Sequence, residues 1–422
     1  MSRIIIYPSE IKGDVNIVSS KSLSHRYLIA ASLAKGESKI TNVLKSKDLD
    51  ATINVLKNLC VDISSKDDIN YLVRSNGLNP TDKTLDVYES GSTLRFIIPL
   101  LWLFSNESSI KMQEGLSVRP LTIYNDIANK YQYKLTKLNN QLKVSGPLKS
   151  GVYEIDGSIS SQFISGLLFA LPLVNGDSKI IIKNHLASKS YIDLTLDVLD
   201  KTGIKIEINR NEFIIKGNQN YQAIDTEIEG DYSAAAFFIV LAILKNIEFT
   251  INNLSEKSLQ GDKEILNIIK KMGVKYSFNG NKLTIYKHET LNAPVIDLMN
   301  IPDLGPILMV LASSIDSVTV FKNISRLKIK ESDRLQAIKN NLEKQGVIFN
   351  IQEEELFITG VKSFKGNQVF DTYNDHRIAM ALAVYGLCSE NEVILNDYTV
   401  VEKSYPCFFE DIKNIGGIVK ND

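Results

Sequence analysis

Six times along the chain, at nearly equal intervals, a helix-like stretch ends on a small or turn residue and runs straight into a short strand-like one. The segments are LKNLCVDI (56–63), IANKYQYK (127–134), LDKTGIKI (199–206), IKKMGVKY (269–276), LEKQGVIF (342–349) and IKNIGGIV (412–419). Their fifth residues, Cys60, Tyr131, Gly203, Gly273, Gly346 and Gly416, stand 71, 72, 70, 73 and 70 positions apart. Four of the six are Gly, the residue best suited to the left-handed conformation that closes a helix. A period this regular calls for a modular fold built from one repeated unit.

A second pattern interleaves with the first: a very apolar helix, a polar turn, then a β-rich strand. It is strongest in LLFALPLVNGDSKIIIKN (167–184), FIVLAILKNIEFTINN (238–253) and LMVLASSIDSVTVFKN (308–323). Near-continuous apolarity predicts helices buried on all sides. Paler copies follow residues 30, 97 and 381, and these read as amphipathic helices on the outside. The module therefore holds two helices and several strands. The fold class is α/β (α+β), and six modules in 422 residues divide most simply into two globular domains of three modules each. The midpoint falls at TEIEG (226–230), where a polar stretch precedes a new apolar helix. Short hinges rather than a tether are expected there.

Composition excludes several classes. The 48 basic and 49 acidic side chains leave no net field to attract nucleic acid or a membrane surface. Cys60, Cys388 and Cys407 are scattered and odd in number, as in a reduced, cytoplasmic protein without a cysteine metal site. The opening MSRIIIYPSE carries no run long enough for a signal or membrane helix, so a cytoplasmic location is expected.

The conspicuous polar motifs fall where helices should begin. SSKSLSHR (19–26), ESGSTLR (89–95), DGSISSQF (156–163), EGDYS (229–233), IPDLG (301–305) and YNDHR (373–377) precede one set of helices. SVRPL (117–121), SKSYID (188–193), KIKESDR (328–334) and EKSYP (402–406) precede the other. Ser and Asp at such places are ordinarily caps, and for EGDYS and for Asp333, with Gln336 three residues on, a cap or capping box suffices. The basic residues are different. Lys21, Arg26, Arg95, Arg119, Lys189, Lys330, Arg334, Arg377 and Lys403 lie at the helix end whose dipole repels cations. That placement makes sense where an anion normally sits among them. It predicts a small, multiply charged ligand, carrying phosphate and carboxylate groups, bound in a cleft between the two domains. His25 reads as a helix-face residue without chemistry, and His185 and His288 have no supporting partners.

In this order, KSLSHR, SGSTLR, SVRP, GSISSQF, SKSYID, IPD, KIKESDR, NDHRIAMA and EKSYP resemble the motifs of the 5-enolpyruvylshikimate-3-phosphate synthases, from about residue 19 to residue 408. Single elements such as SKSY are weak signals; KESDR followed by DHRIAMA is a specific one. The resemblance implies two similar domains, each of three βαβαββ-type repeats in an inside-out, barrel-like arrangement. The first would span 20–228, mainly the shikimate-3-phosphate side. The second would span 1–19 with 229–422 and hold much of the phosphoenolpyruvate side. The implied reaction moves the enolpyruvyl group of phosphoenolpyruvate to the 5-hydroxyl of shikimate 3-phosphate and releases phosphate, without metal or organic cofactor, in a monomer whose cleft closes on its substrates.

Carried over residue by residue, the resemblance implies that Lys21, Ser22, Arg26, Ser160, Ser161, Gln162, Ser188, Tyr191, Asp303 and Lys330 serve shikimate 3-phosphate. Lys21, Gly91, Arg119, Gln162, Arg334, Arg377 and Lys403 would serve phosphoenolpyruvate, and Arg95 and His376 would support the site. Glu331 and Lys21 are the candidates for proton transfer at the methylene carbon, and Asp303 for accepting the hydroxyl proton. Cationic neighbours should keep Asp303 ionised. A plain cap is the competing reading of Asp303, and a surface ion pair with Lys328 or Arg334 that of Glu331.

Two positions depart from the pattern: Glu89 stands where relatives often carry Asn, and Arg326 where some carry Asn. A UDP-N-acetylglucosamine enolpyruvyl transferase is the nearest rival, but KMQEGLSVRP lacks the Cys or Asp that family typically carries before Arg-Pro. A non-enzymatic clamp around nucleic acid would need a diffuse basic lining rather than bases set with Asp303 and Glu331 in compact motifs.

Overall fold

The protein is described from a computed structural model that covers residues 2–422. The chain divides into two compact units, a central one of Ser19–Ile228 and a terminal one of Met1–Val18 with Glu229–Asp422. It passes from one to the other twice, after Val18 and after Ile228.

Among the described residues, each unit contains three separate four-stranded sheets rather than one closed barrel. The repeat is plainest in the central unit. Strand Val152–Asp156 leads into helix Ser161–Ala170, then strand Ser178–Lys183, helix Lys189–Lys201, and the pair Ile206–Asn209 and Glu212–Ile215. The first two strands are parallel and the rest antiparallel. Parallel strands need a crossover, which the buried helix supplies, whereas the last two need only a tight turn. The order βαβαββ recurs from Leu85, with the sheet again ordered first, second, fourth, third, and from Val295 in the terminal unit.

Three repeats are completed by strands from far away in sequence. Thr226–Glu227 supplies the first strand beside Lys35–Thr41. Asp14–Asn16 does the same beside Phe249–Asn252. Arg3–Tyr7 enters antiparallel between Val393–Asn396 and Ile418–Asn421. Each unit is therefore tied together by the segment next to a crossing or by the chain's own start.

The strongly apolar helices Ser161–Ala170, Tyr232–Lys245 and Gly305–Ala312 are buried almost throughout. Fully burying a side chain such as Phe237 or Phe238 is worth roughly 1.5–3 kcal/mol. The paler helices Lys21–Leu33, Gly91–Leu101 and His376–Leu387 are not on the outside, as their composition predicts, but equally buried. In the first of these, two serines are satisfied within the helix. Ser24 and Ser32 donate to the carbonyls of Ser20 (2.8 Å) and Leu28 (2.7 Å), which removes the penalty that hydropathy alone assigns them.

The periodic helix-ending position is left-handed at Cys60 (φ 66), Gly203 (83), Gly273 (98), Gly346 (89) and Gly416 (96). In the remaining copy it is Gln132 (φ 60), one residue after the expected Tyr131. No helix among the described residues is long and apolar enough to cross a membrane.

Candidate active site

Six of the polar motifs begin helices through side-chain caps. Ser20, Ser90, Ser160, Asp231, Asp333 and Asp375 each accept a backbone N–H of the helix that follows. Ser188 stands at the cap of helix Lys189–Lys201 in the left-handed region (φ 55). Arg119, Lys330, Glu331 and Lys403 do not lie in the first turn of a helix, as expected of them. Arg119 lies between helix Glu114–Ser117 and helix Thr122–Tyr131. Lys330 and Glu331 precede helix Arg334–Leu342, which cannot start earlier because Asp333 caps it by accepting from Gln336 N (3.0 Å). Lys403 ends a short 3-10 helix, Tyr398–Lys403. Asp303 lies within another, Pro302–Leu304, so it is not a cap. The capping box is also half-formed, since the Gln336 side chain donates to Asn340 instead of returning to the cap.

In the central unit, Gly91 opens helix Gly91–Leu101 at a crowded point. A Cβ there would lie 2.8 Å from Arg95 Nη1, 3.3 Å from Arg119 Nη1 and 3.7 Å from Gln162 Oε1. Arg95 is buried and donates to Gln162 Oε1 (2.8 Å), while Gln162 Nε2 donates to Ser92 Oγ (2.9 Å). Arg95, Arg119 and Gln162 thus converge on the Gly91 backbone. Burial pushes the Arg95 guanidinium down to about 10, and the Arg119 charge adds to that.

Lys21, in the first turn of helix Lys21–Leu33, forms an ion pair with Asp48 (3.1 Å). One turn on, Arg26 is buried and donates to Thr195 Oγ1 (2.8 Å) and to the carbonyls of Ser22 (2.8 Å) and Tyr191 (2.9 Å). A guanidinium carries five N–H groups, so three contacts fix its position and two directions remain. Ser160 caps helix Ser161–Ala170, whose first residue, Ser161, is buried, and Gln162 follows. Lys21, Ser22, Arg26, Gly91, Arg95, Arg119, the Ser160–Gln162 turn, Ser188 and Tyr191 all belong to this unit.

In the terminal unit the charges converge on one carboxylate. Asp303 Oδ1 takes Arg334 Nη1 (2.8 Å) and Lys330 Nζ (3.3 Å), and its Oδ2 takes Arg377 Nη2 (3.2 Å). Burial would raise the Asp303 carboxyl, but Arg377, Lys330 and Arg334 outweigh it and hold the group well below the usual range. Asp303 is therefore ionised. Burial pushes Lys330 down to about 8; Arg326 and Arg334 reinforce that, and Asp303 opposes it.

Arg334, 3% exposed in its side chain, also reaches Asp375 (2.8 Å), which in turn accepts from Arg377 N (2.9 Å). Glu331 meets His376 Nδ1 at 2.9 Å and Lys403 Nζ at 3.9 Å. Ligand-type atoms of Glu331, Asp375 and His376 lie within 4.8 Å of one another. They are engaged with each other and with Arg334, and we assign them no metal role. Arg326 donates to the Met299 carbonyl (3.1 Å).

A family model described as EPSP synthase (3-phosphoshikimate 1-carboxyvinyltransferase) matches residues 6–412. The chain belongs to the EPSP synthase family. A curated relative from Clostridium botulinum (strain Alaska E43 / Type E3), named 3-phosphoshikimate 1-carboxyvinyltransferase, is 45% identical, with 99% of this chain and 98% of that one covered. Another of the same name, from Clostridium perfringens (strain ATCC 13124), is 42% identical over the full length of both. Among solved structures, an EPSP synthase from Acinetobacter baumannii superposes with a TM-score of 0.84 at 22% identity, covering all of both chains. The enolpyruvyl transferase NikO from Streptomyces tendae gives 0.82 at 14% identity, covering 100% and 99%. These two carry the fold alone.

The EPSP synthase motifs did not single out every charged residue at these centres. Asp48, the partner of Lys21, sits in an ordinary amphipathic helix. Asp375 was visible only as the middle of YNDHR, with no hint that it bonds Arg334. Asp262 is buried and accepts from Ser233. Burial, reinforced by the Asp303 charge, raises its carboxyl to about 7. Nothing in its surroundings in sequence marks it.

Proposed function

We propose that this chain transfers the enolpyruvyl group of phosphoenolpyruvate to the 5-hydroxyl of shikimate 3-phosphate, giving 5-enolpyruvylshikimate 3-phosphate and phosphate, as a step of aromatic amino acid biosynthesis. The observation that carries the reading is the Asp303 carboxylate held ionised among Arg334, Lys330 and Arg377, beside the Glu331–His376 pair. It supplies a base, an acid and anion-binding cations within one motif set.

The roles follow from the chemistry. Lys21, Ser22, Arg26, Ser160, Ser161, Gln162, Ser188, Tyr191 and Lys330 bind shikimate 3-phosphate. Lys21, Gly91, Arg119, Gln162, Arg334, Arg377 and Lys403 bind phosphoenolpyruvate, with Arg95 and His376 supporting. Arg suits bidentate contact with carboxylate and phosphate, and Lys adds point charge. Asp303 accepts the proton of the attacking hydroxyl as it adds to the central carbon of the enol. Glu331 and Lys21 deliver a proton to the methylene carbon and take one back as phosphate leaves. No cofactor enters these steps, and the protein acts as a cytoplasmic monomer.

Phosphate release should appear with phosphoenolpyruvate and shikimate 3-phosphate together and not with UDP-N-acetylglucosamine as acceptor. The reverse preference refutes the assignment.

A further inference from the structure

Beneath the Gly91 turn runs a chain of buried side chains that the mechanism does not use. His25 Nδ1 lies 2.8 Å from Thr52 Oγ1, Thr52 Oγ1 lies 2.6 Å from Thr93 Oγ1, and the Thr93 hydroxyl donates to Ser90 Oγ (2.7 Å). The four residues come from helices Lys21–Leu33, Lys47–Asn58 and Gly91–Leu101 and from the cap of the last. All are essentially inaccessible to solvent.

The chain has a direction. A hydroxyl has one proton. Thr93 gives its proton to Ser90, so it accepts from Thr52. Thr52 then uses its proton on Thr93 at 2.6 Å rather than on the Asp48 carbonyl at 3.4 Å, so it accepts from His25. His25 is thereby the Nδ1–H tautomer. Its Nε2 has no hydrogen-bond partner, which suits a nitrogen without a proton. Burial, with Lys21 and Arg26 beside it, holds the ring neutral by lowering its affinity for a proton. At the far end, Ser90 Oγ accepts both the Thr93 hydroxyl and Thr93 N (3.3 Å), the bond that caps the helix starting at Gly91.

We propose that His25 is a positioning residue for phosphoenolpyruvate: its tautomer orients Thr52 and Thr93 so that Ser90 holds the Gly91 backbone where the substrate meets it. The inference rests on the assignment of Gly91 to phosphoenolpyruvate.

Two measurements test it. Imidazole 15N shifts of the labelled full chain should show His25 protonated at Nδ1 only, with no second proton taken up through the ordinary histidine range. A proton on Nε2, or ordinary titration near pH 6.5, overturns the proposal. Thr93→Val breaks the chain without touching the helix that carries Lys21. It should raise KM for phosphoenolpyruvate roughly tenfold with kcat and the KM for shikimate 3-phosphate little changed, whereas Thr93→Ser should restore it. His25→Asn, which keeps a donor near the Nδ1 position, should behave like wild type and His25→Leu like Thr93→Val. An unchanged KM in Thr93→Val overturns the proposal. If Gly91→Ala also leaves that KM unchanged, the Gly91 assignment is the part that failed; if Gly91→Ala raises it, the relay is.

Discussion

The Glu331 carboxylate lies 2.9 Å from His376 Nδ1, a bond that can hold a residue outside any helix in the orientation its proposed proton-transfer role needs. His376 is the first residue of a buried helix and is itself 2% exposed, so the imidazole is a fixed post. Glu331 precedes helix Arg334–Leu342 and lies outside its hydrogen-bond ladder. The histidine, with Lys403 Nζ at 3.9 Å, contributes to orienting it.

Replacing Glu331 with Gln should lower kcat by about 10²–10⁴, the usual worth of a positioned acid or base, with modest change in either KM. Replacing His376 with Leu should lower kcat less, because the carboxylate remains and only its aim is lost. Steady-state kinetics of the two variants check this. A His376 variant as slow as Glu331→Gln would place the chemistry on the imidazole instead.

Much of this organisation is legible in the sequence, and the misses share a cause. The six-fold period, the helix-start motifs and the cationic set reflect local patterning, which the chain states directly. The burial of helix Lys21–Leu33 is hidden because hydropathy counts neither the bonds Ser24 and Ser32 make to their own helix nor those Arg26 makes to Thr195 and Tyr191 after folding. The Asp375–Arg334 and Lys21–Asp48 pairs join residues 41 and 27 positions apart, and no period links such partners. Thr226–Glu227, the strand that completes the repeat beside Lys35–Thr41, is two residues long and too short to show an alternation. What remains hidden is pairing across the fold, which composition and spacing do not encode.

Lys330 should give shikimate 3-phosphate binding a pH limb in the alkaline range. Its ammonium, pushed down to about 8 chiefly by burial, is charged at pH 7 and largely neutral by pH 9. On the proposed role, KM for shikimate 3-phosphate should rise several-fold across that interval. In Lys330→Arg the limb should vanish, because guanidinium does not titrate there. Initial rates from pH 6.5 to 9.5 for both proteins provide the test, and the same limb in the variant would remove Lys330 from the binding set.

Gly91→Ala should raise KM for phosphoenolpyruvate about tenfold or more while leaving the melting temperature within a few degrees. The new methyl would sit 2.8 Å from Arg95 Nη1, and Arg95 cannot yield freely because it is buried and bonded to Gln162. On the proposed role of Gly91, the methyl displaces phosphoenolpyruvate or the Arg95–Gln162 bond, and either outcome reaches the proposed substrate contact before it reaches the core. Kinetics paired with thermal melts separate the two effects.

Asp303 and Asp262 should give the stability of the terminal unit opposite pH limbs. Asp303 is held well below its unfolded value by Arg377, Lys330 and Arg334, which outweigh its burial. Its contribution is present above about pH 4 and is lost as pH falls through the folded value. Asp262 is raised to about 7 by burial and by the Asp303 charge, so its contribution is complete below about pH 4 and is lost as pH rises through about 7. Asp303→Asn removes one partner of a buried charge cluster and should cost about 3–5 kcal/mol at pH 7, less at pH 3. Asp262→Asn should cost little or even stabilise at pH 7 to 8, by about 1–3 kcal/mol relative to its effect at pH 4. Denaturant unfolding of both variants and the wild type at pH 3 and pH 7.5 reads the signs directly. A change of the same sign with pH in the two variants would contradict the charge arrangement described for this unit.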